Sequence, residues 1–191
     1  MTAVEPPAPP PPEPFPIRAA RSSDVPVLVR QYLAQSEGER RFYHPFPFRS
    51  GSAGLILLGM AVSGRWARGP LARLPWLSYR LLVAEAAGGG IAGHTYYRVQ
   101  RRRGGPRRAV VGIGVATGFQ GRGIGSRLLE ALAVEARRSR LDQLTATVHP
   151  GNEPSRRLFL RSGYLPAPVG PTAPRPGGAV PELPFTKDLR S

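Results

Sequence analysis

The pattern of apolar and polar residues predicts a chain of strands interrupted by amphipathic helices. Short apolar or alternating segments bounded by glycine and proline indicate strands, whereas apolar residues three and four apart indicate helices. The predicted strands cover residues 15–20, 79–86, 91–100, 108–116, 143–150 and 182–189. The predicted helices cover residues 22–37, 52–63, 123–138 and 152–163. A hairpin followed by alternating strands and helices favours an α/β or α+β fold with a mixed sheet.

Two of the helices carry clear signals at their ends. The first begins with capping residues from Ser22 and has Pro26 in its first turn, where a missing N–H costs nothing. The last has Asn152 as its cap, Pro154 in its first turn and Gly163 as its stop. These signals fix where both helices begin, and they place Asn152 directly after a strand.

The most unusual segment is the glycine-rich loop Gln120–Gly125, which lies between a predicted strand and a predicted helix. The first turn of a helix exposes unpaired N–H groups, and glycine allows a phosphate to approach them. A Walker A loop would need a lysine here, but the chain's one lysine is Lys187. A dinucleotide fingerprint would need a third glycine where Ser126 or Leu128 stands. A kinase-type loop would need a catalytic Asp and metal-binding partners that we do not find.

A second set of residues follows about thirty residues later and consists of Asn152, Ser155, Phe159, Gly163 and Tyr164. The Gln-x-x-Gly-x-Gly loop after the strand "GIGV" and this second set together resemble the acetyl-CoA-binding signature of GNAT superfamily N-acetyltransferases. The resemblance covers residues 15–190. It implies a GNAT-type fold, in which a central and mostly antiparallel sheet carries helices on both faces.

The resemblance also implies a reaction and a set of binding residues. The enzyme would transfer an acetyl group from acetyl-CoA, its cosubstrate, to a primary amine of a small molecule or a protein, without a metal. Backbone groups of residues 113–115 would pair with the pantetheine arm, and N–H groups of residues 121–126 would hold the pyrophosphate. Asn152 would orient the pantetheine, and Ser155 would leave it room. The expected cofactor-binding residues are Ile113, Gly114, Val115, Gln120, Gly121, Arg122, Gly123, Ile124, Gly125, Ser126, Asn152 and Ser155.

Two glycines in the strand before the loop, Gly112 and Gly114, point to one face because side chains alternate along a strand. Their small size agrees with a ligand close to that face, but also with relief of crowding inside the sheet. The sequence leaves both interpretations open.

The catalytic residues are less clear from the sequence. By the resemblance, Phe159 stands where many relatives have a proton-donating tyrosine, and Thr147 where some have a glutamate base. His44, in "RFYHPFPF", is the candidate general base because imidazole titrates near neutral pH. The alternative is that His44 packs in an aromatic loop. His94 is interpreted as a residue of the sheet, and His149 as a capping or solvated residue at a strand end.

The missing tyrosine and glutamate leave a second function open. The alternative is a GNAT-fold protein that binds CoA as a sensor, with weak or no turnover.

Composition narrows the class of protein and its partners. With 191 residues and 41% hydrophobic residues, we expect a single domain over 15–191, behind a disordered proline-rich tail of residues 1–14. Residues 166–181, rich in proline and glycine, are predicted to form a loop. No apolar segment is long enough to span a membrane, and the absence of cysteine is compatible with the cytoplasm. The net charge of +15 attracts polyanions, but no nucleic-acid recognition motif accompanies it, so nucleic acid is not an expected partner. The resemblance implies a small-molecule or protein amine acceptor, and a homodimer is one option for the assembly.

Overall fold

The computed structural model describes residues 15–34, 79–100, 105–168 and 182–190. Within these ranges the chain forms seven strands and three α-helices. The strands are β1 (Ile17–Ala19), β2 (Tyr79–Glu85), β3 (Ile91–Gln100), β4 (Arg108–Val115), β5 (Gln143–Val148), β6 (Leu165–Pro166) and β7 (Leu183–Asp188). The helices are α1 (Val25–Leu33), α2 (Ile124–Arg138) and α3 (Glu153–Arg161). The predicted tail 1–14, the predicted helix 52–63 and His44 lie outside the described residues.

All seven strands belong to one mixed sheet. Their order is β1-β2-β3-β4-β5-β7-β6, and every neighbouring pair is antiparallel except β4 and β5, which are parallel. A sequence pattern cannot reveal the short edge strand β6, where Pro166 pairs with Phe185. Proline is tolerated there because an edge strand has one side without a ladder to donate to. The fold is therefore the predicted mostly antiparallel one.

Helices cover both faces of the sheet because alternate side chains of each strand are apolar. Leu81 and Val83 of β2 pack with Leu28 of α1 on one face. Leu82, one residue away, belongs to the cluster on the other face, together with Leu129 of α2. That second cluster also takes in Phe159 of α3, so α2 and α3 share a face and α1 lies on the opposite one. Each fully buried leucine contributes about 1.5–3 kcal/mol to this core.

The ends of α3 follow the predicted signals. The Asn152 side-chain oxygen accepts a hydrogen bond from the Ser155 N–H at 3.2 Å, and Pro154 stands in the first turn. Gly163, just past the last turn, has a φ of 78°, which glycine adopts without a Cβ penalty. The described helices include none that is both long and apolar enough to cross a membrane.

Candidate active site

The parallel strands β4 and β5 separate part of the way along their length. Their pairing covers only Arg108–Val110 against Gln143–Thr145. On their outer sides, β3 follows β4 to Val115 and β7 follows β5 to Val148. The edge of residues 111–115, which we call the open edge, therefore has no strand partner on the β5 side within the described part of the chain. The separation leaves a groove lined by backbone groups that have no strand partner.

The alternation of the backbone decides which residues of the open edge face this groove. The Ala116 N–H donates to the Ala92 oxygen of the β3 side at 2.9 Å. In an antiparallel pair this direction alternates, so Gly114 and Gly112 also turn their N–H and C=O groups toward β3. The groups of Ile113 and Val115 point into the groove. The Gln120 side-chain amide donates to the Val115 oxygen at 3.2 Å, in agreement with that direction.

The glycine-rich loop lies at the end of the groove and opens onto the N-terminus of α2. Gly121 and Gly123 have φ values of 77° and 75°, in the left-handed region that disfavours other residues. A Cβ built on either glycine would meet no described atom within 4 Å, so the space above the loop is open. Gly123 is the N-cap and offers no side chain to the first-turn N–H groups of α2, which stay available to an anion.

Gly125, the last glycine of the motif, has a different surrounding. A Cβ added there would lie 3.0 Å from a Leu158 methyl carbon of α3. Its small size lets α2 and α3 approach each other closely. This contact ties the first turn of α2 to the helix that begins at Asn152, so the two motifs are packed into one structural unit.

Asn152 and Ser155 lie at the N-terminus of α3. The Asn152 oxygen serves as the helix cap, which leaves its side-chain NH₂ as the group that a ligand could accept from. Ser155 is half-buried. Neither residue is brought into a described contact with the glycine-rich loop itself.

The structure places Phe159 in the core. The side chain is 3% exposed and lies between Tyr164, at 5.0 Å and edge-on, and Phe185, at 6.1 Å and stacked. Thr147 is exposed on β5. Phe159 therefore supplies no proton donor, and Thr147 supplies no carboxylate.

The two described histidines, His149 and His94, have different surroundings. His149 accepts a hydrogen bond at Nδ1 from the Gly151 N–H at 3.0 Å, so it caps the turn before α3, as predicted. His94 is half-buried on β3, and burial lowers its pKa to about 4, which keeps the ring neutral at physiological pH. The described residues contain no group of three or more potential metal ligands.

The structure decides between the two interpretations of Gly112. A Cβ built there would lie 2.6 Å from the Tyr96 hydroxyl oxygen, and the ring carbons are closer still. Gly112 is therefore small because the Tyr96 ring lies over it, which is the crowding interpretation. The sequence contains both partners, Tyr96 in "GHTYY" and Gly112 in "VGIGV". Only the register of the two strands shows that they lie opposite each other.

Comparison with known proteins agrees with this geometry. The family model described as "Acetyltransferase (GNAT) family" matches residues 58–164, which is more than half of the chain. A search of curated protein sequences finds no significant match.

Three solved structures illustrate the similarity of fold. The ribosomal-protein-S5-alanine acetyltransferase of Vibrio fischeri has a TM-score of 0.73 at 16% identity, over 93% of this chain and 94% of that one. The yncA protein of Salmonella typhimurium, solved with acetyl-CoA, has a TM-score of 0.67 at 21% identity, over 93% and 95%. The phosphinothricin acetyltransferase of Sinorhizobium meliloti, also in complex with acetyl-CoA, has a TM-score of 0.67 at 17% identity, over 92% and 89%. The family match over more than half of the chain shows that the chain belongs to the GNAT acetyltransferase family, and the three structures show that it has the same fold.

Proposed function

We propose that the protein transfers the acetyl group of acetyl-CoA to a primary amine, with acetyl-CoA held in the groove between β4 and β5. The observation that carries this proposal is the continuity of the groove with the glycine-rich loop. A row of backbone groups without a strand partner leads to a helix N-terminus with open space above it.

The chemistry of acetyl-CoA fits this sequence of features. Its pantetheine arm contains amide groups, which can pair with Ile113 and Val115 as an added strand would. Its pyrophosphate is an anion, which the first-turn N–H groups of α2 and the positive end of the helix dipole stabilise. Arg122, whose guanidinium lies 5.6 Å from the Phe119 ring centroid beside the loop, adds a positive charge there. Asn152 and Ser155 are proposed to border the arm at the start of α3.

The transfer itself needs a neutral amine and stabilisation of a tetrahedral oxyanion. A backbone N–H on the open edge, that of Ile113, can donate to the oxyanion. The CoA thiolate is a fairly good leaving group because free thiols have a pKa near about 8.5. Phe159 has no hydroxyl, so this thiolate leaves without a phenol from that position of α3.

The acceptor is a primary amine of a protein or of a small molecule in this proposal. The structural neighbours include an enzyme named for a ribosomal-protein alanine and one named for phosphinothricin, so their names support both classes. The predicted homodimer and the role of His44 stay predictions.

Because Phe159 has no hydroxyl and Thr147 no carboxylate, the second candidate is a CoA-binding sensor with weak or no turnover. Both candidates bind CoA, and they differ in how fast they transfer the acetyl group.

Calorimetry with acetyl-CoA, followed by CoA release in the presence of a panel of amines, tests the proposal. The informative variant is Ser126→Asp in the first turn of α2, where a carboxylate favours the helix dipole but repels a pyrophosphate. Val134→Glu is the matched control, because it adds the same charge to an exposed position of the same helix. We expect wild type and Val134→Glu to bind and Ser126→Asp to lose affinity. Equal binding by all three would contradict the proposed site, and binding without CoA release for any amine would favour the sensor.

A further inference from the structure

Two polar side chains of β3 lie over the glycines of β4. In the antiparallel register, His94 is paired with Gly114 and Tyr96 with Gly112. The Tyr96 hydroxyl lies within 2.6 Å of the place where a Gly112 Cβ would be. Because side chains two residues apart share a face, His94 and Tyr96 lie on the same face of the sheet. This is the face that carries α1, opposite α2 and α3.

Ile113 lies between the two glycines, and its N–H points into the groove. The thioester carbonyl that this N–H would hold is therefore flanked by Gly112 and Gly114, neither of which has a side chain to separate it from the α1 face. On that face the polar groups nearest to the carbonyl are the half-buried imidazole of His94 and the phenol of Tyr96, which is 8% exposed at the border of the α1 cluster. The other face is closed at this point by the packed core around Phe159.

We propose that His94 and Tyr96 form the amine-accepting part of the active site, with His94 as the proton acceptor and Tyr96 as the group that orients the amine. This inference rests on the proposed function, since it assumes that acetyl-CoA occupies the groove. It replaces the interpretation of His94 as a residue of the sheet alone.

The proposed step is the attack of the amine on the thioester of acetyl-CoA. The nitrogen lone pair of the neutral amine forms the C–N bond at the thioester carbon, and the carbonyl electron pair moves to the oxygen. The resulting ammonium nitrogen gives one proton to a ring nitrogen of His94. Collapse of the oxyanion breaks the C–S bond, and the CoA thiolate takes a proton from solvent. His94 then returns its proton to solvent, which leaves an amide and free CoA.

The environment of the imidazole agrees with this role. Burial lowers the pKa of His94 to about 4, so the ring is neutral and can accept a proton throughout the physiological range.

Three substitutions test the proposal. Tyr96→Phe removes only the hydroxyl, and His94→Gln keeps a polar side chain that cannot take a proton. Tyr97→Phe is the matched control, because this neighbouring phenol points to the opposite face and its hydroxyl binds Ser139 at 2.9 Å. We expect all three variants to bind acetyl-CoA within about twofold of wild type. We expect kcat to fall roughly tenfold in Tyr96→Phe and about 10²-fold in His94→Gln, and to stay unchanged in Tyr97→Phe.

A second measurement works without a known acceptor. The chain has three histidines, so a protein labelled with ¹³C at the imidazole Cε1 gives three resonances, and His94→Gln assigns the one of interest. We expect acetyl-CoA to shift the His94 resonance in wild type and in Tyr97→Phe. A His94 resonance that does not move while calorimetry shows acetyl-CoA bound would overturn this inference and leave the proposed function intact. The same holds for a kcat that falls equally in Tyr96→Phe and Tyr97→Phe. Failure of wild type to bind acetyl-CoA would overturn both.

Discussion

Tyr164→Phe should make the protein more stable, although it removes a polar group from the middle of the fold. The Tyr164 side chain is 0% exposed, and its hydroxyl has no hydrogen-bond partner among the described residues. The ring itself is well placed, since it meets Phe159 edge-on at 5.0 Å and has the Lys187 ammonium 5.8 Å from its centroid. Phenylalanine keeps both ring contacts and loses only the unpaired oxygen.

The size of the effect follows from the cost of burying a polar group without a partner. That cost is about 1–3 kcal/mol, so we expect a gain of roughly 1 kcal/mol in the free energy of unfolding. In a chain of this size such a gain raises Tm by about 2–4 °C. Tyr97→Phe is the control with the opposite sign, because its hydroxyl is paired with Ser139 and its removal should cost about 0.5–1.5 kcal/mol.

The same substitution should also change the response to alkaline pH. Burial raises the pKa of the Tyr164 phenol above its ordinary value. A raised folded-state pKa means that the contribution to stability is complete below the unfolded value, near about pH 10, and is lost as the pH rises further. Wild type should therefore lose more stability than Tyr164→Phe between pH 7 and about pH 11, as measured by urea unfolding. A Tyr164→Phe protein that is less stable at pH 7, or equally sensitive to alkali, would refute the argument.

Three further predictions concern the loop, the sheet and the N-terminal ion pairs. Gly123→Ala puts an alanine in a left-handed conformation that costs about 1–2 kcal/mol, and the loop relieves this strain by leaving the geometry proposed to bind the pyrophosphate. Calorimetry should therefore show acetyl-CoA affinity reduced as much as tenfold, with Gly118→Ala as an unstrained control. Gly112→Ala drives a Cβ into the Tyr96 ring and should lower the free energy of unfolding by about 1–3 kcal/mol, and an unchanged Tm would contradict that contact. Arg18 donates to the Asp24 carboxylate at 2.7 and 2.9 Å and holds its pKa below the ordinary range. This stability is present above about pH 4 and is lost as the pH falls through the lowered pKa, so Asp24→Asn should flatten the acid limb of the stability profile.

The regular part of the fold could be predicted from the sequence because each element carries its own local signal. The hairpin of β2 and β3, the strand β5 and the helix α2 all appear where their periodicity puts them, to within one or two residues. The caps of α3 are equally local, because the Asn152 hydrogen bond and the Gly163 conformation involve only neighbouring residues. The glycine-rich loop was recognisable for the same reason, since its three glycines stand at alternate positions of one short segment, residues 121–125.

Features that depend on two distant segments could not be predicted in this way. The separation of β4 from β5 after Val110 is a property of the pair and leaves no mark on either strand alone. The edge strand β6 consists of Leu165 and Pro166, a dipeptide that no propensity would assign to a sheet. The orientation of Phe159 into the core depends on Phe185 of β7, which is far away in the sequence.

Three glycines near the proposed site are present for different structural reasons, which the sequence motif alone does not reveal. Gly123 is needed for its backbone angle, Gly125 for the approach of Leu158, and Gly112 for the ring of Tyr96. Only the first of these reasons concerns the ligand directly. In the proposed active site, the third decides which groups of β3 can reach the open edge. A residue larger than glycine at position 112 would separate the Tyr96 phenol from Ile113, whatever stood on α3. The catalytic groups of this protein are therefore to be sought first in the residues that pair across β3 and β4, and only then at the position occupied by Phe159.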